Sequence, residues 1–133
     1  FPERLMSAAG AEFFLRSRMQ IRGGTGLGFL TQTAFDEYVR CYTLKTITGS
    51  CRDYRAGATC DFEMDTADKD RKIGTPLLIL WGGQGPNRSD EFISVWRQYA
   101  ANIEGFEGLP SGHYMQEEVP GLVYDHFVKF FSA

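Results

Sequence analysis

Residues 76–83 of this 133-residue chain read Pro-Leu-Leu-Ile-Leu-Trp-Gly-Gly, and they decide its fold class. A continuous apolar run between a proline and two glycines is typical of a strand that is buried on both faces, as in a parallel sheet. Residues 103–109 predict a second strand, which its two internal glycines weaken. Ser89 can cap a helix over 90–102 that connects the two strands. The sequence therefore predicts an α/β arrangement with parallel strands.

The remaining segments predict helices. Capping-box patterns, in which a hydroxyl residue precedes an acidic one by three positions, begin at Thr33 and at Ser50. Apolar residues at helical spacing indicate one helix before these patterns and one at the end of the chain. The four predicted helices cover residues 11–19, 33–42, 50–62 and 117–131.

Two stretches divide the chain. Residues 22–28 contain four glycines and predict a loop, and residues 61–70 hold four aspartates and one glutamate and predict a solvated helix end with a linker. We therefore expect a helical region over 1–72 and an α/β region over 73–133. Two parallel strands do not make a stable sheet alone, so further strands are expected from elsewhere, such as another copy or another part of a larger fold.

The composition excludes several classes of function. The chain has 14 basic and 17 acidic residues, a net charge of −3, and no basic patch of the kind that nucleic acid would need. Its longest apolar run, 76–81, is too short to span a membrane, and no signal peptide is visible at the first residues. The three cysteines fit neither a zinc pattern nor a disulfide framework, so they favour buried thiols in a reducing, cytoplasmic compartment.

The strongest candidate for a catalytic side chain is His113. It lies in residues 109–120, which read Leu-Pro-Ser-Gly-His-Tyr-Met-Gln-Glu-Glu-Val-Pro, so a small residue and a glycine place the imidazole on a tight turn. An imidazole can take up or release a proton near neutral pH. His126 borders the apolar face of the last helix, which favours a structural role, and Glu117 and Glu118 are expected to stabilise the start of that helix through its dipole.

Three parts of the sequence carry a resemblance to a known family. They are residues 1–5 with 12–14; residues 50–65, which read Ser-Cys-Arg-Asp-Tyr-Arg-Ala-Gly-Ala-Thr-Cys-Asp-Phe-Glu-Met-Asp; and residues 76–85 with 109–120. Together they resemble the C-terminal half of an α/β-hydrolase, most closely of the haloacetate (fluoroacetate) dehalogenase branch. The resemblance implies that residues 1–72 form a helical cap. It implies that residues 73–133 form the last two parallel core strands with their flanking helices.

The resemblance also implies a reaction and roles for particular residues. In that branch an aspartate on a strand–turn–helix elbow displaces halide from carbon, and a histidine activates the water that hydrolyses the resulting ester. His113 would be this general base, and Tyr54 would help hold the departing halide. Trp81 ends the first strand, where α/β sheets place ligands; it is a weaker candidate for binding substrate, and core packing is favoured for it. No metal or organic cofactor is implied.

The elbow aspartate and the acid that orients the histidine have no counterpart among these 133 residues. We therefore expect the chain alone to be inactive and to act with a missing N-terminal half or as a homo-oligomer. The substrate of the parent enzyme would be a small haloacid. An epoxide remains an alternative, since Tyr38, Tyr42 or Tyr54 could protonate an opening ring as in epoxide hydrolases. A truncated, non-catalytic interaction module is the alternative from another class.

Overall fold

The structure of the chain is a computed structural model that describes residues 1–22, 26–85 and 89–132. The chain divides into two compact units. Unit 1 consists of residues 1–21 and 30–70, and unit 2 consists of residues 22–29 and 71–133. The glycine-rich loop expected over 22–28 lies partly outside the described residues, because residues 23–25 are not described.

Unit 1 is helical over its described residues. Its helices are α1 Pro2–Ala9, α2 Ala11–Arg22, α3 Gln32–Cys41, α4 Leu44–Gly57 and α5 Cys60–Ala67. The last residue of α2 belongs to unit 2. The helix predicted over 11–19 is present and extends to Arg22.

The two predicted capping boxes are wrong, since α3 and α4 begin earlier in the sequence. Thr31 caps α3, because its Oγ1 accepts a hydrogen bond of 3.2 Å from the amide of Ala34. The side chain of Asp36, which was expected to complete a box with Thr33, instead accepts a hydrogen bond from the Gln32 amide group at 2.7 Å. Asp36 thus pairs with a side chain one helical turn before it, and not with the backbone of the predicted cap residue.

The next helix, α4, also begins earlier than predicted, and Ser50 lies in its interior. Thr43 is the cap, and its Oγ1 accepts a hydrogen bond of 3.3 Å from the amide of Thr46. The helix ends at Gly57, and α5 is a separate helix. The acidic stretch at 61–70 is therefore helical for most of its length and is solvent-exposed, as expected, throughout.

Buried and aromatic side chains hold the helices of unit 1 together. Its buried residues are Met19, Phe35, Ile47 and Cys51. The Arg16 guanidinium lies 4.4 Å from the centre of the Phe35 ring, close enough for a cation–π interaction. An ion pair between Glu3 and Arg55 joins α1 to α4.

Unit 2 has the order strand, helix, strand and two helices. Its elements are β1 Leu77–Gly82, α6 Ser89–Tyr99, β2 Ile103–Leu109, α7 Met115–Glu118 and α8 Pro120–Phe131. The two strands are parallel and hydrogen-bonded to each other. Both strands lie where the sequence predicts them, and their parallel pairing is confirmed.

The two glycines of β2, which weaken its prediction from sequence, make room for side chains of β1. A side chain at Gly105 would begin 2.5 Å from Cδ1 of Leu78, and one at Gly108 would begin 2.9 Å from the Trp81 ring. In the register of the sheet these residues lie directly opposite, Leu78 with Gly105 and Trp81 with Gly108. The glycines are therefore a packing requirement of the strand pair.

The helices of unit 2 differ from the predicted ones at their ends. The single helix predicted over 117–131 is two helices, because Pro120 lacks an amide hydrogen and restricts the residue before it; Val119 has φ −138° and ψ 54°. Helix α6 ends at Tyr99, and not at Asn102, because the chain there bridges to Ile73. The Ile73 amide donates to the Tyr99 carbonyl at 2.7 Å.

The core of unit 2 lies around the strand pair. Its buried apolar residues are Ile79, Trp81, Ala100, Leu109 and Val123. The ring of Trp81 packs 4.3 Å from that of Phe106 and 5.2 Å from that of Phe92, measured between ring centres. None of the helices in the described ranges is long and apolar enough to cross a membrane.

We predict that Leu109→Ala lowers the free energy of unfolding by about 2–5 kcal/mol, because it leaves a cavity beside the end of β2. Leu109 is 1% exposed, whereas Leu44, where the same substitution serves as the control, is 63% exposed. The control should change stability by less than about 0.5 kcal/mol. Urea denaturation of both variants measures the difference, and equal effects would contradict the core assigned to unit 2.

Candidate active site

The turn that carries His113 lies at the carboxyl ends of both strands. We call residues 111–114 the histidine turn. The amide of Gly83, just after β1, donates to the Leu109 carbonyl at 2.7 Å, and the amide of Gln84 donates to the Ser111 carbonyl at 3.0 Å. The segments that leave the two strands are thus hydrogen-bonded to each other. In α/β folds this edge of the sheet is the usual place for a ligand site.

The end of β1 and the histidine turn approach each other closely at one position. A Cβ atom at Gly82 would lie 1.7 Å from the carbonyl oxygen of Gly112 and 3.0 Å from that of Ser111. No side chain fits there, so the backbone of the turn packs directly on the backbone of the strand. Ser111 and Gly112 are buried as a result.

Three consecutive amides of the histidine turn have hydrogen-bond acceptors. The amide of Gly112 donates to Oε2 of Glu118 at 2.8 Å, and that of Tyr114 donates to Oε1 of the same carboxylate at 3.0 Å. Between them, the amide of His113 donates to the carbonyl of Arg22 at 3.0 Å. The backbone on both sides of the histidine is therefore fixed by acceptors outside the turn.

Sequence reasoning missed this role of Glu118. It placed Glu118 at the start of the last helix as a partner of the helix dipole, whereas α8 begins two residues later at Pro120 and the carboxylate binds the histidine turn. One signal was present in the sequence. A glutamate shortly after an exposed histidine, and just before a Val-Pro break, can reach back to the turn.

The imidazole of His113 is held by contacts with aromatic rings and is open to solvent. Its ring meets the Tyr114 ring edge to face at 5.2 Å, with 81° between the planes. The Tyr114 ring in turn stacks on Phe29 at 5.9 Å. His113 is exposed, and within 1–22, 26–85 and 89–132 no carboxylate pairs with its ring. An imidazole placed in this way can exchange a proton with water or substrate.

Comparison with known proteins identifies the fold. No family model matches the chain. The fluoroacetate dehalogenase of a Burkholderia species is 34% identical to it over 122 residues, which are 90% of this chain and 40% of that protein. The soluble epoxide hydrolase of Corynebacterium sp. strain C12 is 34% identical over 97 residues, which are 72% of this chain and 32% of that protein.

Solved structures agree with these relatives. A protein of Nostoc sp. PCC 7120 assigned to the α/β-hydrolases matches 98% of this chain and 45% of its own length, with a TM-score of 0.88 and 33% identity. A Salmonella enterica protein named as an acyltransferase matches 98% of this chain and 43% of its own length, with a TM-score of 0.87 and 37% identity. The chain has the α/β-hydrolase fold. It spans less than half the length of each of these four proteins.

The fold predicted from the sequence, the C-terminal part of an α/β-hydrolase, is thereby confirmed. The other predicted site residues lie in both units. Tyr54 is on α4 of unit 1 and is 80% exposed. Trp81 is at the end of β1 in unit 2, and its contacts with Phe92 and Phe106 are those of a core residue. The role of each in binding substrate stays a prediction.

Further polar groups of the chain fall outside the histidine turn. Nε2 of His126, on α8, lies 3.3 Å from Oε2 of Glu107 on β2, which agrees with the structural role expected for this histidine. Cys41, Cys51 and Cys60 are free thiols, of which Cys51 is buried. In the described part of the chain, no group of three or more histidine, cysteine, aspartate or glutamate residues could hold a metal ion.

Tyr42 stands out among the tyrosines of unit 1 because its hydroxyl is buried. Within the described ranges this hydroxyl has no hydrogen-bond partner. Burial raises the pKa of the Tyr42 phenol, so that it stays protonated at neutral pH. Its ring stacks on Phe14 with 5.4 Å between the ring centres. Tyr42 can therefore act as a hydrogen-bond donor within the helical unit.

We predict that Gly82→Ala displaces the histidine turn, because the new Cβ would occupy the position of the Gly112 carbonyl. The overpacking should cost about 1–3 kcal/mol of unfolding free energy and shift the imidazole resonances of His113 in NMR spectra. The matched control is Gly74→Ala, where no atom lies within 4 Å of the added Cβ. Unchanged His113 resonances in a folded Gly82→Ala variant would contradict the close approach.

Proposed function

We propose that this chain supplies the cap and the general base of a hydrolase that cleaves the carbon–halogen bond of a small haloacid. The observation that carries the proposal is His113. It lies exposed on a turn at the carboxyl edge of the sheet, and acceptors outside the turn hold the backbone amides around it. The dehalogenase relative, which is similar to 90% of the chain, supports the choice of reaction.

The reaction proceeds in two steps. An aspartate from outside these 133 residues attacks the carbon that bears the halogen; the carbon–halogen bond breaks, halide leaves with the bonding electrons, and an ester forms. His113 then removes a proton from a water molecule, and the water oxygen adds to the ester carbonyl. Collapse of this intermediate breaks the ester bond, the protonated His113 gives its proton to the departing alkoxide oxygen, and the aspartate and the free hydroxyacid result. No metal or organic cofactor is needed.

In this proposal Tyr54 binds the halide as it departs. Its side chain is largely exposed on α4, so the phenolic hydroxyl is accessible to a ligand. A hydrogen bond from a neutral hydroxyl to a developing anion is stronger in the transition state than in the ground state. Trp81 has no part in the proposal, because its ring is packed within unit 2.

The proposal requires a partner for the strand pair. β1 and β2 form a two-stranded parallel sheet, and parallel sheets are stable when further strands and helices bury them. We propose that the remaining strands come from the part of the fold that carries the nucleophile and the orienting acid, in the same polypeptide or in an associated one. The protein in which this chain is joined to that part is called the complete hydrolase below.

We predict that the complete hydrolase releases halide from fluoroacetate or chloroacetate and that His113→Ala stops turnover at the ester. Mass spectrometry should detect the accumulated ester on the aspartate, because only the second step needs the base. The control variant is His126→Gln, which removes the other histidine of the chain and should keep most of the activity. The 133-residue chain alone should release no halide.

Two results would contradict this proposal. One is halide release by the isolated chain that is lost in His113→Ala, because the nucleophile would then lie within these residues. The other is full activity of the His113→Ala complete hydrolase. Absence of turnover with every haloacid and epoxide tried would favour the non-catalytic alternative.

We further predict that Tyr54→Phe lowers kcat for chloroacetate by roughly 10- to 100-fold, since one donor to the leaving anion is lost. The matched control is Tyr124→Phe, because Tyr124 is also exposed but lies on α8. Halide electrodes or ion chromatography measure the rates. Equal rates for Tyr54→Phe and the unmodified protein would remove Tyr54 from the proposal.

Epoxide hydrolysis is the second candidate function. It is supported by the epoxide hydrolase relative and by the protonated hydroxyl of Tyr42, which has no hydrogen-bond partner among the described residues and could donate to the oxygen of an opening ring. An assay of the complete hydrolase with styrene oxide decides between the two. Diol formation without halide release, lost in Tyr42→Phe, would establish the second function in place of the first.

A further inference from the structure

We propose that Glu118 is a positioning residue for His113 and acts on the peptide groups on both sides of the histidine. The proposal rests on the proposed function, in which His113 is the general base. Glu118 does not touch the reacting atoms in this assignment. Its carboxylate fixes the direction in which the His113 side chain leaves the backbone.

The geometry that carries this proposal is the two-point contact of a single carboxylate. Oε2 of Glu118 accepts from the amide of Gly112 at 2.8 Å, and Oε1 accepts from the amide of Tyr114 at 3.0 Å. Hydrogen bonds to an ionised acceptor are stronger than those between neutral groups. Two of them accepted by one rigid carboxylate fix the orientation of the donor groups as well as their distance. The peptide planes before and after His113 are thereby held relative to each other.

The position of Glu118 suits this contact. α7 is a single turn that begins directly after the histidine turn, so Glu118, its last residue, lies within reach of the amides of Gly112 and Tyr114. Val119 and Pro120 end α7 directly after Glu118. The break keeps Glu118 next to the turn, and α8 continues from Pro120 as a separate helix.

The consequence for catalysis is a fixed direction for the imidazole. Other contacts of the turn, such as those between the His113 amide and the Arg22 carbonyl and between the backbones of Gly82 and Gly112, hold its position. A general base must lie within hydrogen-bond reach of its water, and a misplacement of about 1 Å can reduce a rate about 100-fold. The carboxylate of Glu118 adds a constraint on the peptide groups on both sides of the histidine.

The first test measures the contact itself by NMR in the complete hydrolase. In Glu118→Gln and Glu118→Ala the amide resonances of Gly112 and Tyr114 should both shift from their positions in the unmodified protein, because one carboxylate accepts from both. The ring resonances of His113 should shift with them. Glu104→Gln is the matched control, since Glu104 is exposed and accepts a hydrogen bond from the side chain of Asn102.

The second test measures the effect on the reaction in the complete hydrolase. Glu118→Gln keeps the size of the side chain but turns an N–H group towards one of the two amides. It should lower kcat on the order of 10- to 100-fold and leave KM within about twofold, since the substrate contacts are unchanged. Glu118→Ala should lower kcat at least as much, and Glu104→Gln should leave both constants unchanged.

The outcomes separate this proposal from the function on which it rests. Amide resonances of Gly112 and Tyr114 that ignore Glu118→Gln overturn the contact. Amides that respond while the His113 ring and kcat do not change overturn the positioning role. Full activity of His113→Ala, with the amide response intact, overturns the proposed function and with it any catalytic purpose of Glu118. A shift of both amide resonances together with a loss of kcat, with KM retained, supports the proposal.

Discussion

The contact between the backbones of Gly82 and Gly112 is the constraint on which the candidate site depends. Because no Cβ atom fits at residue 82, the backbone at the end of β1 packs directly against the backbone of the histidine turn. The amides of Gly83 and Gln84 can then reach the carbonyls that follow β2. A larger residue at 82 would separate these segments, and the hydrogen bonds between them would be lost together. The position of His113 therefore depends on the absence of a side chain at Gly82, the last residue of β1.

Much of the fold was predictable from local patterns, and the errors have definite causes. The strands were predictable because residues 77–82 form a continuous apolar run and residues 103–109 follow after a connecting helix. The starts of α3 and α4 were not, because Thr31 and Thr43 compete with Thr33 and Ser50 as caps, and the choice depends on which residues pair one turn later. Pro120 gave the signal for the helix break, but the apolar face that continues across it concealed the break.

The candidate site was predictable only in part. His113 could be found because a histidine on a glycine turn is unusual in a packed core, and the resemblance to a hydrolase gave it a role. The acceptors that hold the turn could not be found in this way. The Arg22 carbonyl lies far away in the sequence, and the Glu118 carboxylate is close in sequence but was assigned to a helix end. Contacts with backbone amides leave no pattern of residue types, since every residue except proline carries the same donor.

The hydrogen bonds accepted by Glu118 have a consequence for how the histidine turn can change during evolution. They bind peptide groups and not the imidazole, so they do not depend on which side chain residue 113 carries. A mutation at residue 113 would therefore replace the reactive group and leave intact the backbone that presents it. Proteins of one architecture often catalyse different reactions through exchanged site residues. Because the Glu118 carboxylate binds only main-chain amides, residue 113 could be exchanged without other changes to the histidine turn.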